Sequence, residues 1–372
     1  MKESNYQLAA ALRRELHAHP ELSNEERWTK AHLMDFLRRH TTHIELIDQG
    51  AWFYGVYRAG TDRSGIAFRA DFDAVPVEDR YGAAYASTVP GVSHACGHDG
   101  HSACLAALAL EIDQEGADRN VYFLFQHAEE TGDGARVCRE LFRRERVDEI
   151  FGYHNRPGVP LGAVQVLDGT IYCASKGVIL SYQGVPSHAS MPEKGRNPAF
   201  AAAELIGQLG ALTDPRQYRG LVLATIIQVN IGERAFGTQA SRGQLLLTIR
   251  GQYEDELQKL EDSLLRMASA GAEKHGLGLD ISFCDIFPST VSAKSSNDKI
   301  RRACGALGIP LRELAEPFRS SEDFGHYTKL IPGAFFEIGS GPDCGELHTT
   351  TMDFPDAIIP TAVEIFKQLI GP

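Results

Sequence analysis

Hydrophobic positions at the two ends of the chain follow an alternation of helical and strand patterns. Leucines recur at helical spacing early in the chain, and the apolar run NVYFLFQ is typical of a strand buried on both faces. The pattern predicts helices at 5–18, 102–113 and 134–145, and a further helix that begins after a cap at Ser23 or Asn24. It predicts strands at 51–58, 65–70, 120–126 and 149–153. Such an alternation predicts an α/β architecture with a mostly parallel central sheet.

The order of elements changes near Lys176 and changes back after residue 290. In between, the periodicity predicts a strand, a helix, two strands, a helix and a strand, at 177–183, 198–212, 221–230, 243–250, 255–275 and 278–284. This β-α-β-β-α-β order is that of ferredoxin-like α+β domains. Afterwards the α/β pattern returns, with helices at 296–307, 322–329 and 356–369 and a strand at 334–339. We therefore predict a discontinuous larger domain, 1–176 and 289–372, with a compact domain, 177–288, inserted into it.

Composition and charge exclude several classes of protein. The chain of 372 residues is 43% hydrophobic and 23% charged, as in ordinary globular proteins. Its 49 acidic and 37 basic residues leave a net charge of −12, which opposes binding to a phosphate backbone. No apolar stretch approaches the roughly 18 residues that a membrane span needs. We expect no nucleic-acid or membrane partner, and seven scattered cysteines without a signal-peptide pattern favour a cytoplasmic protein.

The densest group of potential metal ligands lies just before the predicted helix 102–113, in the segment SHACGHDGH. Cys96 and His98 offer a thiolate and an imidazole two residues apart, and both bind zinc and similar metals well. Gly97 and Gly100 allow the backbone to turn tightly around an ion. A single Cys-x-His pair is equally compatible with a buried cysteine in an ordinary loop.

Four further polar windows lie after predicted strands or near the end of the chain. They contain Asp71 with Asp73, Glu129 with Glu130, His154, and His348. Sites in α/β proteins form where parallel strands end, so these windows could converge at one edge of the sheet. Taken singly, each window also has a structural explanation, such as a solvated turn, a structural histidine or paired glutamates that compensate a helix dipole.

Together the windows predict a centre with two metal ions. Five N, O and S ligands are more than a tetrahedral structural zinc takes. They are Cys96, His98, Glu130, His154 and His348. Two ions about 3.5–4 Å apart could share a bridging ligand and leave positions for water. Adjacent Glu129 and Glu130 suit a division of labour, in which one carboxylate binds metal and its neighbour moves protons.

The same windows resemble those of the aminoacylase/carboxypeptidase family of di-metal peptidases. The similar segments, in chain order, are RADFDAVP, HACGHDGHSACL, FLFQHAEE, GYHNRP, SEDFGHY and ELH. They are most similar to the amidohydrolase branch, which includes N-acyl-amino-acid, hippurate and indole-acetyl-amino-acid hydrolases. The resemblance covers nearly the whole chain. It implies a di-metal catalytic α/β domain, an inserted lid or dimerisation domain, and hydrolysis of an amide bond in a small molecule with a free carboxylate.

The resemblance also implies roles for individual residues of the larger domain. Cys96 matches the bridging thiolate, and the other four ligands match the remaining metal positions. Glu129 matches the general base that deprotonates the metal-bridging water and then protonates the leaving amine. Asp73 matches the acid that orients the metal site, and Asp71 stands where related branches have a ligating histidine.

Two residues of the inserted domain match functional positions of the family. The segment GVPSHAS resembles the lid-histidine motif, which implies that His188 stabilises the tetrahedral oxyanion from the partner subunit of a homodimer formed through the lid domain. Arg250 matches a position that often binds the substrate carboxylate. A solvated arginine at the edge of a sheet explains Arg250 equally well.

The chain departs from the family pattern in three places. His127 replaces the usual proline before Ala-Glu-Glu, and its imidazole could lie near the metals or face a lid loop, of which we favour the second. Residues 235–240 replace the Asn-x-Ile-Pro stretch of the lid, and residues 349–351 replace a more typical segment. Because every metal and base position is filled, we expect a divergent subgroup with altered substrate selection.

The implied cofactor is a pair of divalent metal ions per subunit. A bridging thiolate favours Zn, Co or Ni by its softness, and the resemblance also allows Mn. We expect Zn or Mn, with Co and Ni as alternatives. The alternative activity within the family is that of a dipeptidase or carboxypeptidase. Outside it, the alternatives are a catalytically idle metal-dependent binding module and a fold whose Cys and His are core residues without metal.

Overall fold

The computed structural model describes residues 1–60 and 65–371. Its helices are α1 (Glu3–Ala18), α2 (Arg27–His40), α3 (His98–Glu115), α4 (Gly134–Cys138), α5 (Leu141–Arg144), α6 (Ala199–Leu212), α7 (Glu254–Lys274), α8 (Lys294–Leu307), α9 (Gly325–Thr328) and α10 (Ile358–Ile370). None of these helices within the described residues is both long enough and apolar enough to cross a membrane.

The strands follow the same chain order. They are β1 (Ile44–Asp48), β2 (Phe53–Tyr57), β3 (Gly65–Asp71), β4 (Asn120–Gln126), β5 (Glu149–Pro157), β6 (Val164–Val166), β7 (Gly169–Tyr172), β8 (Ala174–Gln183), β9 (Val222–Ile231), β10 (Arg242–Gly251), β11 (Gly278–Phe287), β12 (Thr290–Ser292), β13 (Leu311–Glu313) and β14 (Gly333–Gly341). The chain divides into two compact units. The first comprises Met1–Ile171, Thr290–Pro317 and Asp323–Pro372, and the second comprises Tyr172–Ser289 and Phe318–Glu322.

An eight-stranded sheet forms the centre of the first unit, in the order β1-β2-β4-β3-β5-β14-β6-β13. The adjacent strands β4, β3, β5 and β14 run parallel to one another, whereas β1, β2 and β6 join through antiparallel pairings. Every residue of β3 and β4 is buried, as their nearly continuous apolar sequences require when helices cover both faces. The predicted α/β architecture with a mostly parallel central sheet is thereby confirmed.

The long helix α3 packs against α1, α10 and the central sheet. Every residue from His98 to Ile112 is buried, because the sequence SACLAALALEI is small or apolar around the whole helix. The helix begins four residues earlier than the predicted segment 102–113. Its first residue is therefore His98, so a candidate metal ligand lies at the N-terminal end of this buried helix.

Aromatic side chains fill the core beneath the strand ends. The rings of Phe53 and Phe125 stack with their centroids 4.6 Å apart, and Phe68 lies 4.5 Å from Phe366 of α10 by the same measure. Each fully buried phenylalanine contributes about 1.5–3 kcal/mol through the hydrophobic effect. The loops that carry the polar windows thus start from a rigid, well-packed base.

The second unit contains an antiparallel sheet in the order β11-β8-β10-β9. Its elements follow the predicted β-α-β-β-α-β order, and α6 and α7 pack against the sheet through a leucine-rich cluster. Strand β9 lies at an edge of this sheet and exposes the apolar side chains Ile226, Ile227 and Val229.

The start of α2 differs from the prediction, and the difference matters for the site. Neither Ser23 nor Asn24 caps the helix; the carboxylate of Glu21 accepts hydrogen bonds from the backbone N–H groups of Trp28 (3.1 Å) and Thr29 (2.8 Å) instead. Trp28, in the first turn of α2, is 36% exposed. The residues between Glu21 and the helix are therefore available for other contacts.

Two other predicted helices are shorter than expected. The segment 134–145 forms two short helices, α4 and α5, and the segment 322–329 is helical only in α9. Gly134, the first residue of α4, is tightly enclosed, since a Cβ atom there would lie 1.8 Å from the backbone oxygen of His127. The chain that follows β4 is thus folded closely onto itself.

Candidate metal centre

The first unit brings together all five predicted metal ligands. Cys96 and His98 lie at the start of α3, Glu130 follows β4, His154 belongs to β5, and His348 lies in the loop after β14. We call Cys96, His98, Glu130, His154 and His348 the ligand cluster. Because β4, β5 and β14 run parallel near the middle of one sheet, residues far apart in sequence meet at the ends of these strands.

The thiol of Cys96 lies between two imidazoles of the ligand cluster. Its Sγ is 3.3 Å from Nε2 of His154 and 3.3 Å from Nε2 of His348, and this second nitrogen is 3.2 Å from Oε1 of Glu130. Potential ligand atoms therefore form two sets, Cys96 with His98 and His154, and Cys96 with Glu130 and His348, each within 4.8 Å. One sulfur common to two sets is the arrangement that a bridging ligand requires.

The two buried histidines are held with one ring nitrogen directed at the cluster. Nδ1 of His98 donates to the backbone oxygen (3.0 Å) and the carboxylate (3.1 Å) of Asp73, and Nδ1 of His154 donates to the backbone oxygen of Asn155 (2.8 Å). These bonds assign the proton to Nδ1 and leave the Nε2 lone pair for a metal. Within the described residues, the buried Nε2 of His98 has no hydrogen-bond partner. An unsatisfied buried nitrogen of this kind fits a metal ligand.

Carboxylates make the site strongly electronegative. Burial lowers the pKa of His98, but the charges of Asp71, Asp73 and Glu130 outweigh this effect and raise the pKa to about 10. Burial together with the charges of Glu130 and Glu129 raises the pKa of the Cys96 thiol well above its usual range. The surroundings therefore stabilise positive charge here, and a bound cation would supply that charge as it displaces the thiol proton.

Asp71 belongs to a third potential ligand set, with His98 and His101, but both of its carboxylate oxygens already accept hydrogen bonds. Its Oδ2 accepts a hydrogen bond from Nη1 of Arg69 (2.6 Å), and its Oδ1 accepts one from Nδ1 of His101 (2.6 Å). Burial alone would raise the pKa of Asp71, but Arg69, His98 and His101 hold it well below the usual value. Nη2 of the same Arg69 donates to Asp323 (2.8 Å), so a buried ionic chain supports the end of β3.

Gly97 allows α3 to start inside the cluster. Its φ of +97° lies in the left-handed region, and a Cβ atom there would lie 2.4 Å from Oδ1 of Asn155. Both the backbone conformation and the lack of space demand glycine between Cys96 and His98.

Glu129, the predicted general base, is buried beside the ligand cluster. It forms a further potential ligand set with His98 and Glu130, and its Oε1 accepts a hydrogen bond from the backbone N–H of Asp323 (3.4 Å). The preceding residue, Ala128, has φ of +48°, a left-handed conformation that is unfavourable for residues other than glycine. The loop that carries both glutamates is therefore strained.

The remaining predicted residues are distributed as follows. Asp73 is fully buried and accepts hydrogen bonds from His98, from the Ser23 hydroxyl (2.7 Å) and from the Glu130 backbone N–H (3.0 Å). His127 is 4% exposed, lies in none of the ligand sets found within the described residues, and has Nδ1 3.9 Å from Sγ of Cys138.

His188 and Arg250 belong to the second unit. Nδ1 of the exposed His188 accepts the Ser190 backbone N–H (3.1 Å) and lies 2.7 Å from the Ser190 hydroxyl. Nη1 of Arg250 donates to the backbone oxygen of Arg319 (3.1 Å) and to the hydroxyl of Ser321 (2.8 Å). Residues 235–240 connect to His188 through a β-bridge between His188 and Thr238.

Sequence reasoning missed several residues that support the centre. They are Ser23, Glu26, Arg69, His101, Asn155 and Asp323. Asp323 lies in SEDFGHY, a motif noted above without a role, and Ser23 was considered only as a helix cap. The motif around Asp323 and the predicted helix start near Ser23 indicated that these segments matter. The sequence around each residue, however, does not show its distant contact partners.

A family model described as Peptidase family M20/M25/M40 matches residues 67–371. Among curated proteins, N-acetylcysteine deacetylase of Bacillus subtilis (strain 168) is 29% identical over 365 residues, which cover 96% of this chain and 94% of that protein. N-acetyldiaminopimelate deacetylase of Leuconostoc citreum (strain KM20) is 28% identical over 389 residues, covering 100% and 97%.

A solved structure extends the similarity to the fold. A Bacillus subtilis protein described as a dinuclear metal-binding peptidase from the M20 family has a TM-score of 0.83 and 26% sequence identity. The similarity covers 99% of this chain and 98% of that one. Both units therefore have counterparts in a single known protein.

Proposed function

The chain belongs to Peptidase family M20/M25/M40, and from this membership we propose that it hydrolyses the amide bond of N-acyl amino acids or amino-acid conjugates, using two divalent metal ions. The observation that supports this most strongly is Cys96, whose sulfur is common to two ligand sets beside the buried Glu129. The names of the two deacetylases support an acylated amino acid as substrate.

The residues proposed to hold the metals are those of the ligand cluster, with Cys96 between the two ions. When bound, the ions would polarise the scissile carbonyl and favour the ionisation of water. Zn or Mn is our proposal for the native metal, with Co or Ni as alternatives, because a shared thiolate combined with imidazoles suits soft and borderline ions.

Glu129 is the proposed general base and acid. Its carboxylate would take a proton from the attacking water and return it to the nitrogen of the leaving amine. The backbone N–H of Asp323 holds Oε1 of Glu129, and a second hydrogen bond of Asp323, from Ala135 N–H to its Oδ2 (2.8 Å), ties the residue to the start of α4. Asp73 is the proposed orienting acid, since it holds both His98 and the backbone of Glu130.

His188 is the proposed donor to the oxyanion. Its Nδ1 accepts the Ser190 backbone N–H, so the neutral ring carries its proton on Nε2. An exposed Nε2–H donor is the tautomer that stabilisation of a developing negative charge requires. We propose that this histidine acts from the partner subunit, as the family resemblance implies.

Arg250 is the proposed partner of the substrate carboxylate. Burial lowers the pKa of Arg250, and its Nη1 donates to the hydroxyl of Ser321 and to the backbone oxygen of Arg319. A guanidinium without a carboxylate among these partners retains its charge for a bidentate bond to a substrate.

The second unit is also the proposed dimerisation surface. The edge strand β9 exposes Ile226, Ile227 and Val229, and an unpaired apolar edge can join the same edge of a second copy. Sedimentation at several protein concentrations tests this homodimer. A cytoplasmic location is a further part of the proposal, supported by seven cysteines without a disulfide in the described residues.

The test is amine release from a panel of N-acyl amino acids and dipeptides, with metal-loaded wild type and Glu129→Gln. Release from acylated amino acids by the wild type, with loss of at least about 10²–10³-fold in the variant, supports the proposal. Glu140→Gln, a change at a partly exposed glutamate that pairs with Arg143 on the surface, serves as the matched control and should retain full activity. Preference for dipeptides would favour the peptidase alternative. If protein with two bound metals releases amine from no substrate of the panel, the proposed activity is contradicted and a binding module is favoured.

A further inference from the structure

A buried glutamate outside the ligand cluster touches the loop that carries Glu129. Glu26 immediately precedes α2, yet it is only 6% exposed, and its Oε1 accepts the backbone N–H of Ala128 at 2.8 Å. The two residues are 102 positions apart in sequence. The contact therefore belongs to the folded site and not to a local turn.

Glu26 has no competing structural task among the described residues. It forms no ion pair there, and the N–H groups at the start of α2 are satisfied by Glu21. Burial, reinforced by the nearby charge of Asp73, raises the pKa of Glu26 to about 8. A buried carboxyl group without a cation destabilises a protein, so its position calls for a functional explanation.

The contact holds a backbone conformation that needs support. Ala128 has φ of +48°, and its carbonyl oxygen accepts the N–H of Gly134 at 3.0 Å. Both backbone polar groups of Ala128 are therefore engaged, the N–H by Glu26 and the carbonyl oxygen by the beginning of α4. Such a conformation persists only where the surroundings determine it, and Glu129 follows directly.

The same N-terminal segment makes a second contact with the glutamate pair. Ser23 donates its hydroxyl to Oδ2 of Asp73, and this oxygen also accepts the backbone N–H of Glu130. Residues 23–26 thus support Ala128 on one side of Glu129 and Glu130 on the other. Since Glu130 is held separately through Asp73, loss of the Glu26 contact should act mainly on Glu129.

We propose that Glu26 is a positioning residue, which fixes the left-handed Ala128 by a hydrogen bond and so aims the carboxylate of Glu129 at the reacting water. The inference rests on the proposed function only for its catalytic consequence. The backbone contact itself can be tested without any turnover. A glutamine at this position retains an oxygen acceptor of the same shape, whereas an alanine removes it.

The experiment compares wild type, Glu26→Gln, Glu26→Ala and the exposed neighbour control Glu25→Ala as metal-loaded enzymes. We expect Glu26→Ala to lower kcat by about 10- to 100-fold with KM within about threefold and two metals still bound. Glu26→Gln should stay within about threefold of wild type, and Glu25→Ala should be unchanged. In addition, hydrogen exchange followed by mass spectrometry should show faster exchange in peptides covering residues 127–132 in Glu26→Ala alone.

A compensating variant tests the backbone part of the argument. Glycine adopts positive φ without strain, so Glu26→Ala combined with Ala128→Gly should recover part of the lost kcat. This variant also separates positioning from misfolding, because a folding defect caused by Glu26→Ala would not be relieved at Ala128.

Unchanged kcat and unchanged exchange in Glu26→Ala would overturn the proposal. So would an equal loss in Glu26→Gln and Glu26→Ala, because the hydrogen-bond acceptor would then not be the important property. If the wild type hydrolyses no substrate of the panel, the proposed function fails, but the exchange comparison still decides whether Glu26 fixes Ala128.

Discussion

Replacement of Glu26 by glutamine should stabilise the protein, and more strongly as the pH rises. Burial and the charge of Asp73 raise the pKa of Glu26 from the ordinary 4.5 to about 8. Below pH 4.5 the carboxyl group is protonated in both the folded and the unfolded chain, and it has no effect. Between pH 4.5 and 8 the unfolded chain loses this proton while the folded chain keeps it, so the free energy of unfolding falls as the pH rises.

The size of the effect follows from the two pKa values. They differ by about 3.5, and 1.36 kcal/mol for each pKa unit gives a destabilisation on the order of 5 kcal/mol above pH 8. Glutamine keeps the acceptor for Ala128 and does not ionise. The variant should therefore exceed the wild type by about 1 kcal/mol at pH 5 and by about 5 kcal/mol at pH 9.

Urea unfolding followed by tryptophan fluorescence measures this difference. Both tryptophans, Trp28 and Trp52, belong to the first unit, which also contains Glu26, so the signal reports on the relevant part of the chain. The matched control is Glu25→Gln, an exposed neighbour that should change stability by less than about 0.5 kcal/mol at any pH. If Glu26→Gln and wild type differ in free energy of unfolding by the same amount at pH 5 and pH 9, the pKa of Glu26 is not raised in the folded chain.

Three further predictions concern the site. Gly97→Ala should lower the free energy of unfolding by at least about 2 kcal/mol in the same urea assay, since φ is +97° and Asn155 occupies the space of a Cβ atom; wild-type stability would contradict this. His188→Ala should lower kcat by about 10²–10³-fold in steady-state assays without loss of bound metal, and near-wild-type turnover would exclude it as the oxyanion donor. Arg250→Leu should raise KM at least about tenfold for substrates with a free carboxylate and little for the corresponding amides; equal effects on both would exclude the carboxylate contact.

Local sequence patterns were sufficient for the central elements and the family. NVYFLFQ became the fully buried strand β4 with the predicted bounds, because a short apolar run in an α/β protein has few alternatives to a central parallel strand. The ordered motifs led to the peptidase family that the match over residues 67–371 confirms. The motifs identify the family because metal ligands and a general base must be particular residue types at particular spacings.

Contacts between distant segments were not accessible from local patterns. Ser23 was predicted as a helix cap because hydroxyl side chains usually cap helices, but Asp73 binds its hydroxyl and Glu21 takes over the capping. An acidic side chain beside a helix start usually favours the helix dipole, but Glu26 accepts a hydrogen bond from the backbone N–H of Ala128, 102 positions away. In both cases a tertiary contact competed with a local preference and was stronger.

Strained backbone conformations could not be predicted from the sequence either. Ala128 and His348 both have positive φ, which is uncommon for residues other than glycine, and His348 is a proposed ligand whereas Ala128 lies two residues before another, Glu130. Nothing in the letters HAEE or ELH indicates such a conformation. It results from the convergence of several strands and loops on a small volume, where the ligand geometry outweighs the preference of a single residue.

The proposed activity depends on a centre of two metal ions for which Cys96 would be the shared ligand. The most direct measurement is metal content by mass spectrometry after loading with Zn or Mn and removal of excess metal, in wild type and Cys96→Ala, with the buried Cys104→Ala as the matched control. We expect two ions per chain in wild type and in Cys104→Ala, and fewer than two in Cys96→Ala. Two tightly held ions in Cys96→Ala, or one ion or none in the wild type, would contradict this expectation.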